Sequence, residues 1–223
     1  MVVEIGSEIR IRDASKELYD WAQENLIIPN PQYRERERRG LWVGNTPKYL
    51  WLYHVDGSDL IVPTGVGKQV RQFLSEKDKI SVHLADNGIL DYKGTIPLYD
   101  YQKDAVEAMQ RTSCGILQSP CGSGKTQMGI ALAAELSRKV LWITHTQDLL
   151  TQSKTRAEQY FPEETLGTIT AGKAQVGSHI TFATVQTLCK MDLDQFRYTW
   201  DVVIVDECHR LAGSPTQVTM FYK

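Results

Sequence analysis

The stretch Cys114-Gly-Ile-Leu-Gln-Ser-Pro-Cys-Gly-Ser-Gly-Lys-Thr126 decides how the chain folds. Its apolar run Cys114–Gln118 predicts a strand, and Lys125 begins a predicted helix that ends at Leu136. Between them lies Ser119-Pro-Cys-Gly-Ser-Gly124, whose glycines allow consecutive backbone N–H groups to face inward. Strand, loop and helix in this order are typical of a phosphate-binding loop. The alternative, a glycine-rich turn before an ordinary helix, does not account for the Gly-Lys-Thr at the helix start.

The residue types in this loop predict how it would bind a nucleotide. The helix N-terminus contributes free N–H donors and partial positive charge. Lys125 can reach the β- and γ-phosphates, and the hydroxyl of Thr126 can bind Mg²⁺. The strict pattern begins with glycine, where this chain has serine. We expect the phosphates to be lined by Ser119, Cys121, Gly122, Ser123, Gly124, Lys125 and Thr126.

The composition is that of a soluble globular protein. The 223 residues are 42% apolar and 23% charged, and the formal net charge is −2. Because no overall basic field exists, any nucleic-acid site has to be a local patch. The four cysteines form no Cys-x-x-Cys pair, which predicts free thiols in a reducing compartment. The chain shows no signal peptide or membrane span, so we predict a cytoplasmic protein with no membrane partner.

The chain changes character near residue 96. Residues 1–95 mix short helical and strand patterns and predict a small α+β accessory module that could bind DNA or a partner. Residues 96–223 alternate buried strands with helices, which predicts an α/β domain with an open parallel sheet. The predicted helices cover 100–111, 125–136 and 147–160, and the predicted strands cover 114–118, 140–143, 166–170, 180–183 and 202–205.

Two features of the module allow two interpretations each. The charge run Arg34-Glu-Arg-Glu-Arg-Arg39, followed by Trp42, is either a solvated face or a phosphate contact. Tyr49, Trp51 and Tyr53 alternate with other residues, so they would share one face of a strand. That face either packs on the protein or stacks on bases.

A second chemical signal follows the last predicted strand, as Asp206-Glu-Cys-His209. A carboxylate at the carboxyl end of a buried parallel strand lies at the ligand-binding edge of the sheet. Asp206 can then bind Mg²⁺ together with Thr126. Glu207 is placed to orient and deprotonate an attacking water, and His209 to sense the γ-phosphate. A zinc site at Cys208-His209 has no companion ligands at usable spacing.

Together, Gly122–Thr126 and Asp206–His209 resemble motifs I and II of superfamily 2 helicases of the Asp-Glu-x-His branch. Within that branch the resemblance is to phage and repair helicases of the UvsW and XPB type. It implies a RecA-like P-loop NTPase domain that uses ATP and Mg²⁺ to unwind or remodel DNA, with single-stranded or branched DNA as its partner, in a bacterial or phage-infected cell. The family also tolerates serine at the position of Ser119.

Weaker likenesses follow the same order along the chain. Leu98–Gln102 resembles the adenine-reading Q-motif, with Gln102 as the base contact, although some members carry arginine where Tyr99 stands. Thr144–Leu150 resembles motif Ia and Ala183–Leu188 resembles motif Ib, segments with which the family grips a nucleic-acid backbone. The implied nucleic-acid contacts are Thr144, His145, Thr146, Thr184 and Gln186.

The resemblance also implies parts that these residues do not contain, namely motif III and a second RecA-like domain. Ser214–Lys223 reads like the helix before motif III. The hypothesis is therefore the N-terminal portion of a helicase, truncated or encoded as a split gene, with an incomplete RecA-like domain. Its second RecA-like domain would come from a missing C-terminal region or a separate chain. We expect weak Mg·ATP binding and little intrinsic hydrolysis.

Two other functions remain open. The chain could be the double-stranded DNA translocase subunit of a restriction or remodelling system, because the same motor drives duplex tracking. It could also be a non-catalytic DNA-binding fragment that uses residues 1–95. A dehydrogenase is excluded, because the third glycine of the dinucleotide fingerprint is absent after Gly124.

Overall fold

The computed structural model describes residues 1–112, 114–170 and 173–210. The chain divides into two compact units, residues 1–84 and the residues from Ala85 onward. This division lies earlier than the composition change near residue 96, because Tyr92 already packs edge-on against Phe161 and His179 of the second unit. The predicted helix over 214–223 falls outside the described residues.

The first unit has an α+β fold, as the sequence predicts. Its elements are β1 (Val2–Ile5), β2 (Glu8–Arg12), α1 (Lys16–Asn25), β3 (Ile27–Pro29), α2 (Pro31–Arg38), β4 (Tyr49–Trp51), β5 (His54–Asp56), β6 (Asp59–Pro63), α3 (Gly67–Arg71) and β7 (Lys79–Val82). Five strands form a sheet in the order β5-β6-β2-β1-β7, in which only β1 and β7 are parallel. Ile9 and Ile11 of β2 alternate into a core with Leu18 of α1.

Two parts of the first unit differ from the pattern that the sequence suggests. The charge run forms the end of helix α2, and the segment Tyr49–Trp51 pairs with β3 in a separate two-stranded ribbon. Tyr49 and Trp51 are exposed on this ribbon, whereas Tyr53 lies beyond it and is buried. The three aromatic residues therefore do not form one continuous face.

The second unit carries the α/β pattern. Its elements are α4 (Asp100–Gln110), α5 (Lys125–Leu136), β8 (Val140–Thr144), α6 (Gln147–Glu158), β9 (Leu166–Thr170), β10 (Lys173–Gln175), β11 (Ile180–Thr184), α7 (Val185–Leu188) and β12 (Val202–Val205). The sheet order is β10-β9-β11-β8-β12, and all pairs except β10 with β9 are parallel. Trp142 of β8 and Phe182 of β11 pack with Ile130 of α5 in the core. The predicted parallel sheet is confirmed.

The predicted strand Cys114–Gln118 is wrong. This segment has no regular structure, and the side chain of Ile116 is 84% exposed. On the far side of β12 no described strand pairs with the sheet, and Val203 of β12 is 50% exposed. A strand requires a neighbour for its backbone N–H and C=O groups. Cys114–Gln118 does not pair with this free edge of β12, so it stays irregular.

Candidate nucleotide-binding site

The loop Ser119–Gly124 lies directly before α5 and is shaped by two glycines with positive φ. Gly122 has φ of 78° and Gly124 has φ of 81°, a left-handed conformation that favours glycine. Gly124 is also the N-cap residue of α5. A Cβ atom at Gly124 would lie 2.4 Å from Nε2 of Gln102, whereas one at Gly122 would meet open space. Glycine is therefore required at 124 for two reasons and at 122 for one.

Lys125 lies across this loop. Its Nζ donates hydrogen bonds to the backbone oxygens of Ser119 and Pro120, each at 3.2 Å. The hydroxyl groups of Ser119 and Ser123 are hydrogen-bonded to each other at 2.7 Å. Phosphate oxygens are stronger acceptors for an ammonium group than neutral carbonyls are, because they carry charge. The ammonium group of Lys125 therefore lies at the centre of the loop. A bound phosphate can replace the two backbone carbonyls as its hydrogen-bond acceptor.

Asp206 follows β12 and lies close enough to Lys125 for their charges to interact. The backbone N–H of Asp206 donates to Ile143 O at 2.9 Å, which extends the pairing of β12 with β8. Burial, and next the neighbouring Glu207, raise the pKa of the Asp206 carboxyl, while Lys125 acts in the opposite direction. A half-buried carboxylate in this environment favours a bound cation.

Glu207 adopts an unusual backbone conformation and faces His209. Its φ is 55°, which is uncommon for a residue other than glycine. Nδ1 of His209 lies 3.2 Å from Oε2 of Glu207. The turn after β12 therefore brings the two predicted catalytic side chains beyond Asp206 into contact with each other.

A Mg²⁺ ion at this site would have few ligands from the protein itself. Within the described residues, no three His, Cys, Asp or Glu side chains are grouped as a metal site built by protein alone would need. The candidate donors are the Thr126 hydroxyl, in the first turn of α5, and the Asp206 carboxylate. Both are oxygen ligands of the kind that Mg²⁺ prefers, and Mg²⁺ usually completes its shell with water and substrate phosphates. This donor set suits a metal ion that arrives with a nucleotide.

Gln102 is buried and bonded to the phosphate loop. Its Oε1 accepts a hydrogen bond from the backbone N–H of Tyr99, and its Nε2 donates to Ser123 O, both at 2.9 Å. The hydroxyl of Tyr101 also donates to Ser123 O, at 3.1 Å. Gln102 therefore couples the N-terminus of α4 to the loop. Its predicted role as a base contact stays a prediction.

Tyr99 and Tyr101 lie within the segment that resembles the Q-motif, which predicts a contact only for Gln102. Their rings lie nearly parallel, 9° apart in orientation and 5.9 Å between centroids, and both are exposed. Their spacing of two residues directly before Gln102 was the available signal. They add an aromatic surface beside the loop.

The predicted nucleic-acid residues lie at the carboxyl ends of β8 and β11. Thr144 is buried and donates its hydroxyl to Thr146 O, and Thr146 caps α6 by accepting from Leu149 N. Nδ1 of His145 is buried, and it has no hydrogen-bond partner among the described residues.

The end of β11 is arranged similarly. The hydroxyl of Thr184 is hydrogen-bonded to that of Thr187 at 2.9 Å. Gln186 is exposed on α7 and lines a cavity of about 630 Å³ together with Lys173 and Lys190. This edge therefore combines polar side chains with two basic ones, which suits a phosphate backbone.

Comparisons with known proteins identify a family and several relatives of the chain. Residues 95–222 match the family described as the type III restriction enzyme, res subunit. The chain is 28% identical to the DNA 3'-5' translocase XPB2 of Sulfurisphaera tokodaii over 152 residues, which cover 65% of this chain and 33% of that protein. It is 26% identical to the putative ATP-dependent RNA helicase L396 of Acanthamoeba polyphaga mimivirus over 149 residues, which cover 66% of this chain and 28% of that protein. The chain thus spans a third or less of the length of these relatives.

A solved structure shares the fold. The UvsW helicase of bacteriophage T4 superposes with a TM-score of 0.66 at 20% identity, covering 99% of this chain and 87% of that one. The RecA-like fold predicted from motifs I and II is thereby confirmed. None of the helices in the described residues combines the length and apolar character that crossing a membrane requires.

Proposed function

The chain belongs to the family of the type III restriction enzyme res subunit, and on that premise we propose that its second unit is the ATP-binding lobe of a DNA-dependent ATPase. This enzyme couples ATP hydrolysis to unwinding or remodelling of DNA. The observation that carries the proposal is the loop before α5, in which the left-handed Gly124 precedes Lys125 and Nζ of Lys125 lies 3.2 Å from Ser119 O and from Pro120 O, in a unit whose strand β12 is followed directly by Asp206. A phosphate-binding cation and a metal-binding carboxylate are the two parts that phosphoryl transfer needs.

Each site residue has a role in this function. The phosphates bind the N–H groups of Ser119–Gly124, and Lys125 exchanges its two carbonyl contacts for phosphate oxygens. Thr126 and Asp206 would hold Mg²⁺, which would neutralise charge on the phosphates. Glu207 orients and deprotonates the attacking water, and His209 holds the Glu207 carboxylate through their 3.2 Å contact.

The substrate in this proposal is single-stranded or branched DNA. Thr146 and Gln186, which are exposed, contact its backbone through hydroxyl and amide groups, and the buried Thr144 and Thr184 position these two segments through their own hydrogen bonds. A second RecA-like domain, from the same or a separate chain, adds further groups around the γ-phosphate. Cys121 and Gly122 at the tip of the loop are exposed, which leaves space for it.

A second candidate is tracking along duplex DNA without strand separation. It is favoured by the relative XPB2, whose name describes a DNA 3'-5' translocase. Two assays, triplex displacement and unwinding of a forked duplex, distinguish these functions. A translocase displaces the third strand of a triplex but leaves a forked duplex paired.

The proposed function is tested by the effect of nucleotide on DNA affinity. Forked DNA is titrated into the chain with and without Mg²⁺ and a non-hydrolysable ATP analogue, for the parent and for Lys125→Ala. Because coupling between two ligands is reciprocal, the analogue should change the DNA affinity of the parent and leave that of Lys125→Ala unchanged. Equal DNA affinities in all four conditions would instead identify a binding module without a motor function.

A further inference from the structure

The first unit carries exposed aromatic rings beside basic side chains, in what we name the basic-aromatic surface: Arg36, Trp42, Lys48, Tyr49 and Trp51. Trp42 is 83% exposed, Trp51 64% and Tyr49 47%. Large aromatic side chains normally lie inside a fold or at an interface. Three of them open to solvent within one short segment therefore indicate a binding surface.

The rings are held in place by the surrounding backbone. Tyr49 and Trp51 lie two residues apart on β4, so they project from the same face of the ribbon, about 7 Å apart along the strand. Trp51 rests against the buried Tyr53, with ring centroids 5.7 Å apart. Trp42 covers Gly44 so closely that a Cβ atom there would lie 2.7 Å from the indole ring. Such rings lose little conformational freedom when a flat ligand stacks on them.

A buried asparagine joins the basic helix to the aromatic ribbon. Asn30 caps α2 by accepting from Gln32 N at 2.9 Å, and its Nδ2 donates to Pro47 O at 2.8 Å. Its backbone N–H donates to Lys48 O at 2.9 Å. Nη1 of Arg36 reaches Trp42 O at 3.5 Å. The helix, the loop and β4 thus form one continuous surface.

The charge of this surface is positive although that of the whole chain is not. Residues 27–51 contain five basic side chains and two acidic ones, in a chain with a net charge of −2. Glu35 forms ion pairs with Arg38 and Arg39, at 2.8 and 2.5 Å. Among the described residues Arg36 forms no ion pair, and Nζ of Lys48 lies 5.9 Å from the centroid of the Tyr49 ring. Cations therefore stand directly beside the rings.

We propose that the basic-aromatic surface binds single-stranded nucleic acid, with unpaired bases stacked on Trp42, Tyr49 and Trp51 and phosphates contacted by Arg36 and Lys48. Flat rings alternating with cations match the bases and phosphates of a single strand. A duplex hides the faces of its bases, so it would engage only the cations. The surface acts without ATP and stands independently of the proposed motor function.

The experiment measures the binding of a labelled oligo-dT and an oligo-rU by fluorescence anisotropy, with no nucleotide present. Trp42→Ala and Trp51→Ala should each weaken binding of both strands by about 5- to 150-fold. Arg36→Ala should lower the slope of log affinity against log salt by about 0.7, because one phosphate contact is lost. The matched controls are Val82→Ala, an exposed apolar residue of β7, and Arg71→Ala, and neither should change binding.

Two further measurements separate the basic-aromatic surface from the nucleotide site and from a protein interface. Lys125→Ala should bind oligo-dT as the parent does, so a failed nucleotide site leaves this test intact. Addition of the oligonucleotide should quench the tryptophan fluorescence of the parent and of Trp51→Phe, but not that of the Trp42→Phe, Trp51→Phe double variant. Unchanged affinity in both alanine variants would overturn the proposal. So would a parent that forms dimers which both variants abolish without loss of oligonucleotide binding, because the surface would then be a protein interface.

Discussion

Thr144 and Thr184 are register partners at the carboxyl ends of two neighbouring parallel strands, β8 and β11. Val205 of β12 is in turn the partner of Ile143 on the other side of β8, so Asp206 follows at the same level. Segments that are far apart in the sequence therefore meet at one edge of the sheet. The candidate nucleic-acid contacts at the end of β11 and the candidate metal ligand Asp206 after β12 therefore flank the same strand, β8.

We expect Gln186→Ala to weaken DNA binding without affecting ATP binding. Gln186 is exposed on α7 beside Lys173 and Lys190, and it follows Thr184, another candidate nucleic-acid residue. Loss of one hydrogen bond to a backbone corresponds to about a 2- to 12-fold change in affinity. Anisotropy with forked DNA measures the change, and the exposed Gln159→Ala serves as control. An equal loss of DNA affinity in Gln159→Ala would contradict the assignment of Gln186 as a DNA contact.

The two glycines of the phosphate loop should respond differently to alanine. Both have positive φ, which costs alanine about 1–2 kcal/mol of the free energy of unfolding. Only at Gly124 would the new Cβ also collide with Gln102, whose amide holds Ser123. Thermal unfolding should therefore show a larger loss for Gly124→Ala than for Gly122→Ala. Equal losses would mean that Gln102 moves aside at no cost.

Replacing Gln102 separates its two possible roles. If Gln102 links α4 to the loop, the Gln102→Ala variant should bind ATP and GTP more weakly to the same extent. The change should also cost about 1–3 kcal/mol in the free energy of unfolding, because Tyr99 N loses its buried acceptor. The exposed Gln110→Ala on the same helix is the control. A loss confined to ATP would instead show that Gln102 reads the base, as the resemblance to the Q-motif implies.

Asp206→Asn should stabilise the chain at neutral pH when Mg²⁺ and nucleotide are absent. Because burial and Glu207 raise the pKa of Asp206, the folded state binds a proton there more tightly than the unfolded state does. The ionised carboxylate therefore costs stability above the raised pKa, and this cost disappears as the pH falls below the unfolded value near 4. The melting-temperature difference between variant and parent should be largest at pH 7 and small at pH 4. A variant less stable than the parent at pH 7 would contradict this.

Elements defined by local signals were predictable from the sequence. Helix α5 begins at Lys125, where the left-handed Gly124 ends the loop, and β12 coincides with an unbroken run of four β-branched residues. Helix α2 was not foreseen as a helix. Its support is the Asn30 cap and the pairs of Glu35 with Arg38 and Arg39, which a charge run does not reveal. The predicted strand at Cys114–Gln118 failed because strand formation depends on a neighbour that the local sequence does not specify.

The candidate site was predictable only in part. The residue types around Lys125 and Asp206 indicate phosphate and metal chemistry, which stays a prediction, and the structure places Asp206 directly after β12. The bond between Gln102 and Ser123 could not be predicted, because it depends on how closely α4 approaches the loop. The contact between His209 and Glu207 depends in the same way on the positive φ of Glu207.

The most direct test of the ATP-binding lobe is the affinity of the purified chain for Mg·ATP, measured by calorimetry on the parent and on Lys125→Ala. The charged hydrogen bonds of Lys125 to phosphate predict a loss of about 10- to 150-fold in the variant. Lys68→Ala, an exposed lysine of the first unit, should bind as the parent does. Equal affinity of the parent and Lys125→Ala for Mg·ATP, or no measurable binding by the parent, would contradict the account.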